Sequence, residues 1–443
     1  MSFYSAELPY HPDASTYFAA ISRLPWAAWL DSGGMGRYDI LTAAPQHCLV
    51  IIDEPPNGDA FALLREALGT PTPPVADVPF AGGALGYWSY DLARQQMGLP
   101  DIAQDGEQLP LMAVGIYDWA LVLDHQQRAV RLVSHLRYAE TESLLPQLLA
   151  LLQDDTETIG DDFRVCGEIA SNFTRERYAA AFAQVQRYLQ AGDCYQINLA
   201  QRFSAQAQGD ALGAYLHLRS SSPAPYSAFL NLPQAQILCA SPERFLSVRN
   251  GAVETRPIKG TRPRGKDAEH DRQLAETLRH HPKDRAENLM IVDLLRNDLG
   301  KSCAPGSVQV PALFEVESYA NVHHLVSTVT GELAPGRDAL DLLRDCFPGG
   351  SITGAPKQRA MHIIEQLEPH RRGVYCGAIG YVGFDGNMDS NIAIRTLVYS
   401  NREIRCWAGG GIVADSQCAA EYQETLDKAA AMLALLERYG GSY

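Results

Sequence analysis

The chain of 443 residues carries 37 Lys and Arg against 52 Asp and Glu, which gives a net charge of −15. This balance excludes a protein that binds nucleic acid through a basic surface, because phosphate contacts require Lys and Arg. The 46% hydrophobic content is ordinary for a globular protein. Since no apolar run approaches the roughly 18–20 residues that span a bilayer, we expect neither nucleic acid nor a membrane as a partner.

The cysteines and the first residues bear on the cellular compartment. The nine cysteines include no Cys-x-x-Cys pair, which indicates reduced thiols and argues against a disulfide framework or a zinc site. The N-terminal segment Met1-Ser2-Phe3-Tyr4 lacks the basic and apolar regions of a signal peptide. We therefore expect a cytoplasmic protein.

Hydrophobic periodicity predicts strands and helices that follow one another without regular alternation. The predicted strands lie at 113–123, 130–134, 237–248 and 380–384, and the predicted helices at 175–191, 284–299, 356–367 and 419–438. Proline-rich 69–74 and acidic 153–162 are predicted loops, and polar 263–284 is predicted to be a loop leading into a helix. This order indicates an α+β fold. The breaks predict an N-terminal subdomain over residues 1–150 and a second domain over residues 165–443, joined in one core.

A short internal echo suggests duplication. Gly83-Ala84-Leu85-Gly86-Tyr87 recurs as Gly377-Ala378-Ile379-Gly380-Tyr381, and an aromatic residue and an aspartate follow both copies, Tyr90-Asp91 and Phe384-Asp385. We expect both copies to be strands that enter a tight turn.

Two predicted helices carry carboxylates that suit a divalent cation. Glu421 and Glu424 are three residues apart, on a shared face beside the apolar stripe of the C-terminal helix. Carboxylates at this spacing suit Mg²⁺, which keeps some waters and takes further ligands from a bound carboxylate. A solvated helix face is the alternative. Glu287 opens an apolar helix, so we expect it to be half-buried and paired with a cation.

Two further segments are suited to holding anions. Residues 347–357 (Phe-Pro-Gly-Gly-Ser-Ile-Thr-Gly-Ala-Pro-Lys) form a glycine-rich loop that runs into a predicted helix, with Pro356 in its first turn. Free N–H groups and the helix dipole make such a junction an anion site, although the loop does not match a P-loop. The run 391–396 alternates like a strand, with Arg395 facing away from the isoleucines and able to fork onto a carboxylate.

These segments resemble the family of chorismate-utilising enzymes that contains the anthranilate, isochorismate and salicylate synthases. The resemblance covers nearly the whole chain and is strongest from about residue 173 to residue 428. It implies two related halves in which large antiparallel β-sheets pack against each other with helices outside. It also implies Mg²⁺ as a cofactor, with Glu287 and Glu424 as direct ligands and Glu421 as a nearby or water-mediated one.

The resemblance further implies which residues bind chorismate. The glycine-rich loop would hold one carboxylate, and Arg395, Tyr375 and the glycine backbone at 409–411 would hold the enolpyruvyl carboxylate. The substrate-binding residues implied in this way are Gln196, Thr261, Gly350, Ser351, Thr353, Gly354, Tyr375, Arg395, Gly409, Gly410, Gly411 and Lys428.

Four positions bear on the reaction that the resemblance implies. Lys259, in Arg-Pro-Ile-Lys-Gly-Thr, stands where most of the family has alanine and implies a covalent nucleophile, the alternative being a solvated lysine near a turn. Glu243 corresponds to the general acid at the C4 hydroxyl. Gln196 occupies the place of the lysine that activates water in isochorismate and salicylate synthases, so we expect ammonia to add in place of water. His324 would lie close to the ring carboxylate, as a base or a hydrogen-bonding partner.

The expected reaction is the conversion of chorismate and ammonia into 4-amino-4-deoxychorismate, for para-aminobenzoate and folate synthesis, through a covalent intermediate on Lys259. The alternatives are amination at C2 with loss of pyruvate, as in anthranilate synthases, and a module that binds chorismate or tryptophan without turnover. The chain contains no Gly-x-Cys-x-Gly nucleophile elbow. We therefore expect the ammonia to come from a separate glutamine amidotransferase subunit.

An N-terminal segment resembles the tryptophan pocket of the same family. The residues implied there are Ser32, Arg37, Tyr38, Pro225 and Tyr226. The loop between Gly33 and Arg37 is short compared with relatives, so a structural relic is the alternative to a site that binds tryptophan.

Overall fold

The computed structural model describes residues 3–53, 59–154, 159–319 and 322–440. Met1 and Ser2 of the N-terminal segment, and residues 155–158 of the predicted acidic loop, lie outside the described residues. All nine cysteines are free. In the parts of the chain that are described, no helix is both long and apolar enough to cross a membrane.

The described residues form 22 strands. They are β1 (Tyr4–Leu8), β2 (Ala27–Asp31), β3 (Tyr38–Thr42), β4 (His47–Ile51), β5 (Gly83–Trp88), β6 (Met112–Tyr117), β7 (Ala120–Asp124), β8 (Ala129–Ser134), β9 (Arg164–Ser171), β10 (Gln196–Gln208), β11 (Tyr226–Asn231), β12 (Gln236–Ser241), β13 (Arg244–Arg249), β14 (Ala252–Thr255), β15 (Ile258–Pro263), β16 (Gln309–Ser318), β17 (Val322–Glu332), β18 (Gly354–Ala355), β19 (Ala378–Gly383), β20 (Met388–Ile392), β21 (Thr396–Ser400) and β22 (Glu403–Ile412).

Helices connect these strands. They are α1 (Ser15–Ile21), α2 (Ala60–Leu68), α3 (Arg94–Met97), α4 (Ala139–Leu152), α5 (Arg175–Gln190), α6 (Leu212–Ser221), α7 (Ala268–His280), α8 (Pro282–Leu299), α9 (Ala339–Cys346), α10 (Lys357–Leu367) and α11 (Cys418–Tyr439), with 3₁₀ turns at Tyr90–Ala93 and Gly350–Ile352. The four predicted helices are confirmed to within two residues at each end. The prediction of a loop over most of 263–284 was wrong, because α7 forms there behind the side-chain cap of Asp267.

The strands build two large sheets in which all neighbouring strands run antiparallel. The first sheet has 12 strands in the order β1-β8-β7-β3-β2-β11-β12-β21-β22-β10-β18, and β9 also pairs with β10. The second has 10 strands in the order β15-β17-β14-β13-β20-β19-β5-β6-β4, and β16 also pairs with β17.

Apolar clusters hold the sheets and helices together in layers. Ile40 and Ile237 of the first sheet belong to one buried cluster with Tyr87 and Tyr381 of the second, so the two sheets pack face to face. The opposite face of the first sheet is covered by α1, α4, α6 and α11, and that of the second by α2, α8 and α9. The prediction of an α+β fold with packed antiparallel sheets and helices outside is confirmed.

Three runs predicted as single strands each divide between the two sheets, so their continuity was wrongly predicted. Run 113–123 forms β6 and β7, and run 237–248 forms β12 and β13. Run 391–396 ends β20 of the second sheet and begins β21 of the first. A hydrophobic run on its own does not show where a strand leaves its sheet.

The two copies of the internal echo lie side by side. Strands β5 and β19 are antiparallel neighbours in the second sheet, with Gly86 opposite Gly380. The first copy leads into a 3₁₀ turn and the second into the turn before β20. Both copies are therefore strands that enter turns, as predicted.

Candidate active site

The glycine-rich loop packs against the edge of the first sheet, where β18 pairs with β10. Gly354 has a φ of 146°, and a Cβ there would lie 2.2 Å from the carbonyl oxygen of Gln196, so glycine is required. The hydroxyl of Thr353 donates to backbone carbonyls of the preceding turn at 3.2 and 3.3 Å. Helix α10 begins one residue after Pro356, and the ammonium of Lys357 donates to Asp298 at 2.6 Å.

A buried ion pair between Glu368 and Arg372 anchors this loop, and it was not predicted. The Arg372 guanidinium donates to the carbonyl of Ile352 at 3.0 Å and to the carbonyl of Asn198 at 2.7 Å. It also forks onto Glu368 at 2.7 and 2.9 Å. The pair ties the loop to β10. The Glu-x-x-x-Arg spacing was no signal in the sequence, because α10 ends at Leu367 and the two residues meet in the irregular segment after it.

Lys259 stands on β15, and its ammonium reaches the glycine-rich loop. Nζ donates to the carbonyl oxygen of Ser351 at 3.0 Å. Burial lowers the pKa of Lys259 below its usual range, repulsion from Lys428 acts in the same direction, and the glutamates of the site oppose both. The side chain is only half-buried, so a ligand can reach it. An amine with a lowered pKa is suited to act as a nucleophile near neutral pH.

Glu243 lies in the short connection where the chain leaves β12 for β13 and changes sheet. Burial raises the pKa of Glu243, while a hydrogen bond with the Ser351 side chain and the charge of Lys259 lower it. The acid and the amine therefore border the same serine. A carboxylic acid with a raised pKa can donate a proton closer to neutrality.

Three glutamates on two helices face one region beside Lys259, Glu287 on α8 and Glu421 and Glu424 on α11. Glu421 is only 3% exposed, its Oε1 accepts from Ser416 at 2.6 Å, and its buried Oε2 has no partner in the described protein. A Cβ on Gly410 would lie 3.1 Å from Oε2 of Glu421 and 3.2 Å from Oε1 of Glu424. Glycine at that position thus lets the backbone of β22 approach both carboxylates.

Two lysines supply counter-charges to these glutamates. Lys428 lies 2.6 Å from Glu424, and Lys283 lies 3.8 Å from Glu287 and 3.7 Å from Glu421. The expected half-burial of Glu287 is confirmed, because its side chain is 18% exposed. Burial raises the pKa of both Glu287 and Glu421. Burial also acts on Glu424, but the charge of Lys428 leaves its pKa below the usual range.

The glutamates fit Mg²⁺ as incomplete ligands. Among the described residues, no group of three or more His, Cys, Asp or Glu is arranged to hold a metal by itself. Mg²⁺ is commonly bound by one or two carboxylates, with water and substrate oxygens completing its octahedron. The unpartnered Oε2 of Glu421 and the neighbouring Oε1 of Glu424 are oxygens of the kind that this ion takes.

Arg395 lies at the second point where the chain changes sheet. It has a φ of 48° between β20 and β21, so the prediction that it belongs to a strand was wrong. In the described residues its guanidinium has no hydrogen bond or ion pair with the protein, and burial lowers its pKa. A half-buried guanidinium that no protein group engages is available to pair with an anionic ligand. Tyr375, another predicted substrate residue, stacks on Trp407 with ring centroids 5.8 Å apart.

His324 and Thr261 are hydrogen-bonded across β15 and β17. The distance between Thr261 Oγ1 and His324 Nδ1 is 2.9 Å. Burial lowers the pKa of His324 to about 4, and the charge of Arg395 contributes. The imidazole is therefore neutral near pH 7. His323 instead contacts Ser318 at 2.7 Å and Asp271 at 2.9 Å.

Gln196 is a further buried polar group without a partner. Neither atom of its amide has a hydrogen bond in the described protein, and a Cβ on Gly411 would lie 2.3 Å from its Nε2. Leaving a buried amide unpaired costs about 1–3 kcal/mol. A polar ligand group beside Gln196 would therefore be favoured. The neighbouring carbonyl of Gly409 accepts from Lys428 at 3.0 Å.

The segment that resembles a tryptophan pocket is engaged with the rest of the fold. The backbone N–H of Ser32 donates to Asp39 at 2.7 Å. Arg37 lies 2.8 Å from both Asp124 and Asp77. These contacts occupy the guanidinium with carboxylates of the N-terminal half.

Strand β11, which begins at Tyr226, pairs with β2 with Ser227 opposite Asp31, so the segments that carry Ser32 and Tyr226 lie next to each other. Tyr38 lies under the Arg37 guanidinium at 4.6 Å, and Tyr226 lies under that of Arg244 at 5.1 Å. Pro225 immediately precedes β11. Within the described ranges, no hydrogen bond, ion pair or ring contact joins Arg37 to Pro225 or Tyr226.

The arrangement joins an amine suited to act as a nucleophile, a carboxylic acid and groups suited to bind anions. Lys259, Glu243 and Ser351 meet at the glycine-rich loop, and the charges of the three glutamates and Lys428 act on the same region. Such a site can attack an electron-poor carbon, protonate a leaving oxygen and hold a substrate with more than one carboxylate.

Comparisons with known proteins agree with this chemistry. Residues 27–434 match the family described as chorismate binding enzyme. The chain is 49% identical to aminodeoxychorismate synthase component 1 of Escherichia coli K12, over 96% of each chain. It is 40% identical to anthranilate synthase component 1 of Streptomyces coelicolor, over 92% of this chain and 82% of that one. The crystal structure of anthranilate synthase component I from Streptococcus pneumoniae superposes with a TM-score of 0.80 and 34% identity, over 90% of this chain and 92% of that one.

Proposed function

The chain belongs to the family of chorismate-binding enzymes, and from this we propose that it converts chorismate and ammonia into 4-amino-4-deoxychorismate. The reaction replaces the C4 hydroxyl by an amino group and retains the enolpyruvyl side chain. The product is a precursor of para-aminobenzoate and hence of folate. The 49% identity to an aminodeoxychorismate synthase component 1, which extends over 96% of each chain, supports this choice within the family.

The observation that carries the proposal is the position of the Lys259 ammonium. It lies 3.0 Å from the Ser351 carbonyl, beside the acid Glu243, in a setting that lowers the pKa of the amine. In the proposed first step, neutral Nζ forms a bond to C2 of chorismate. The two ring double bonds shift, the C4–O bond breaks, and Glu243 gives its proton to the departing hydroxyl, which leaves as water.

Ammonia completes the reaction. Its nitrogen forms a bond to C4, the double bonds return to their first positions, and the C2–N bond to Lys259 breaks. The nitrogen of ammonia gives a proton to the Glu243 carboxylate, which restores the acid, and the lysine amine is regenerated. The overall change is chorismate plus ammonia to 4-amino-4-deoxychorismate plus water.

The remaining groups bind and orient chorismate in this proposal. Arg395, which has no protein partner in the described residues, would pair with the enolpyruvyl carboxylate, next to Tyr375. Gln196 would supply hydrogen bonds to the substrate. It occupies the position at which isochorismate and salicylate synthases carry a lysine that activates water. Neutral His324 would accept or share a hydrogen bond near the ring carboxylate.

Mg²⁺ is the cofactor in this proposal. Glu287 and Glu424 would be its direct ligands, and Glu421 a nearby or water-mediated one. Bound there, the ion would neutralise a substrate carboxylate in a protein whose net charge is −15. The unpartnered oxygen of Glu421 supports the assignment.

The ammonia would come from a separate glutamine amidotransferase subunit, with free ammonium as its substitute in the laboratory. The designation of the relative as a component 1 supports a second component. A cytoplasmic location is part of the same proposal, supported by nine free cysteines. Binding of tryptophan to the N-terminal segment stays a proposal, and the ion pairs of Arg37 do not favour it.

Anthranilate formation is the competing function, because an anthranilate synthase is 40% identical to this chain. That reaction aminates C2 and eliminates pyruvate. Covalent occupation of C2 by Lys259 would block ammonia from that carbon, so the lysine favours amination at C4.

The Lys259→Ala variant tests the proposed route. We expect C4 amination to fall by about 100-fold or more, because the nucleophile is lost. Wild-type protein mixed with chorismate and Mg²⁺ without ammonium should gain the mass of chorismate minus water, located on Lys259 by peptide mapping. Lys301→Ala, which changes a surface lysine, serves as the control. Full C4 amination by Lys259→Ala would refute the covalent route.

A further inference from the structure

The ammonium of Lys283 lies between two of the glutamates beside Lys259. It is 3.8 Å from Oε1 of Glu287 and 3.7 Å from Oε1 of Glu421. It reaches them from the first turn of α8, one turn before Glu287 on the same face. A single positive charge thus lies within ion-pair distance of carboxylates on two different helices, α8 and α11.

The two carboxylates need a cation whether or not a metal is bound. Glu421 is 3% exposed and one of its oxygens has no partner in the described protein. The side chain of Glu287 is 18% exposed, so water solvates neither carboxylate fully. A carboxylate in such surroundings is stable only with a counter-charge nearby.

Lys283 supplies that charge without a hydrogen bond. Its two distances exceed the 2.7–3.2 Å or so of a direct N–H···O contact. Lys428 differs, since it lies 2.6 Å from Glu424 and also donates to the carbonyl of Gly409 at 3.0 Å. Lys283 is 42% exposed and has no second anchor among the described contacts. The Lys283 ammonium can therefore move away from the glutamates at a lower cost in free energy than the Lys428 ammonium can.

We propose that Lys283 is an exchangeable counter-ion of this carboxylate pair, which a divalent cation displaces when it binds. The inference rests on the proposed function, in which these glutamates hold Mg²⁺. In the metal-free protein the single positive charge of the ammonium partly offsets the charges of Glu287 and Glu421. On binding, the ion takes over this role and the lysine turns toward solvent. Lys283 thereby weakens metal binding and keeps the site ordered before the metal arrives.

Direct metal binding tests the exchange without relying on turnover. Mn²⁺ serves as the probe, and free Mn²⁺ is measured by electron paramagnetic resonance in titrations of metal-free protein. We expect Lys283→Met to bind Mn²⁺ about three- to tenfold more tightly than wild type, because two weak ion pairs no longer compete. Lys283→Arg keeps the charge and should bind no more tightly than wild type.

Lys301→Met is the matched control for the loss of one positive charge. Lys301 is 48% exposed and lies just beyond the far end of α8, whose 18 residues span about 27 Å at 1.5 Å per residue. It pairs with Asp298 at 2.8 Å, and Asp298 stays paired with Lys357 when Lys301 is replaced. We expect its Mn²⁺ affinity to equal that of wild type. If Lys283→Met and Lys301→Met bind Mn²⁺ more tightly by the same factor, the change in net charge explains the effect and the exchange is wrong. Unchanged or weaker Mn²⁺ binding by Lys283→Met would also overturn the exchange.

A second variant separates this inference from the proposed function. Glu424→Gln in the wild-type background removes a proposed direct ligand and should abolish or greatly weaken Mn²⁺ binding. If wild-type protein shows no saturable binding that this variant removes, the metal proposal itself fails, and the exchange fails with it. If Glu424→Gln removes binding while Lys283→Met behaves like wild type, only the exchange is wrong.

Discussion

Lys259 and Glu243 have pKa values that burial moves in opposite directions. The amine becomes easier to deprotonate and the carboxyl harder to ionise, and both groups border Ser351. A nucleophilic step needs the amine neutral and the acid protonated, so both shifts favour the reactive pair. The position of these side chains at one buried place thus prepares them for the proposed reaction.

Removing the charge of Lys428 should raise the pKa of Lys259. Lys428 repels the protonated amine, so the Lys428→Met variant makes protonation of Lys259 easier. Only the neutral amine reacts with an acylating reagent. The rate of labelling of Lys259 against pH, measured by mass spectrometry of its peptide, should therefore move to higher pH. Lys301→Met should leave the profile in place, and a move to lower pH in Lys428→Met would contradict this account.

Arg395 should contribute little to the fold and much to binding. In Arg395→Met a half-buried guanidinium without a protein partner is replaced by an apolar side chain, so the free energy of unfolding should stay about the same. The KM for chorismate should rise by about 10- to 100-fold, as expected when a charge-assisted hydrogen bond is lost. Urea unfolding and steady-state kinetics measure the two effects.

Arg244→Met provides the contrast. Its guanidinium lies 2.6 Å from Glu254 and 3.0 Å from Asp389, so its removal takes the nearest cation from both carboxylates and should lower the free energy of unfolding. A large loss of stability in Arg395→Met with unchanged KM would mean that Arg395 serves the fold.

Residues with an unusual chemical identity were predictable from the sequence, and those that act through geometry were not. Lys259 stood out because a lysine replaces alanine in a recognisable motif. Lys283 did not, because its significance depends on Glu421, a residue 138 positions later on another helix. The partners of a surface-type lysine are fixed by tertiary packing, which a local pattern does not contain.

At the scale of elements, the site is built where strands change sheet. Glu243 follows β12 of the first sheet and precedes β13 of the second, and Arg395 separates β20 of the second from β21 of the first. The two crossings are joined, since the N–H of Ile392 donates to the carbonyl of Glu243 at 3.0 Å. Periodicity predicted strands in these regions but not the crossings, because a strand has the same alternation in either sheet.

The ion pair of Glu368 and Arg372 should position the glycine-rich loop. Arg372→Met alone leaves Glu368 buried and unpaired, and should lower the free energy of unfolding by about 3–5 kcal/mol. The double variant Glu368→Leu, Arg372→Met should recover most of this loss. Its kcat should nevertheless stay well below that of wild type, because the Ile352 carbonyl is no longer held.

Urea unfolding and kcat measured on the same samples separate the two contributions. A double variant that regains both stability and full kcat would show that the pair only stabilises the fold. A double variant that regains stability while kcat stays low would assign the pair to positioning of the loop. Arg372→Lys, which cannot fork onto Glu368 and reach two carbonyls at once, should give an intermediate kcat.

At the scale of the whole molecule, each sheet joins a block of strands from the N-terminal part of the chain to a block from the C-terminal part. The two blocks meet where β2 pairs with β11 in the first sheet and where β5 pairs with β19 in the second. The sequence predicted the fold class, the outer helices and the echo between β5 and β19. It did not predict the order of strands, because antiparallel pairing between distant segments depends on long-range packing that no local pattern specifies.

The charge of the whole molecule also shapes the site. A net charge of −15 disfavours an anionic substrate such as chorismate at long range. Lys259, Lys283, Lys428 and Arg395 are placed close to the predicted substrate groups and offset this locally. The dependence on Mg²⁺ in our proposal follows the same logic, since the glutamates that hold the ion would otherwise add to the repulsion.

The most direct test of the central claim is the identity of the product. Purified protein is mixed with chorismate, Mg²⁺ and excess ammonium, and the products are analysed by mass spectrometry alongside a pyruvate assay. Our account predicts a 4-amino product that retains the enolpyruvyl group, with no release of pyruvate. Anthranilate together with an equal amount of pyruvate would contradict it, and would show that Lys259 does not direct amination to C4.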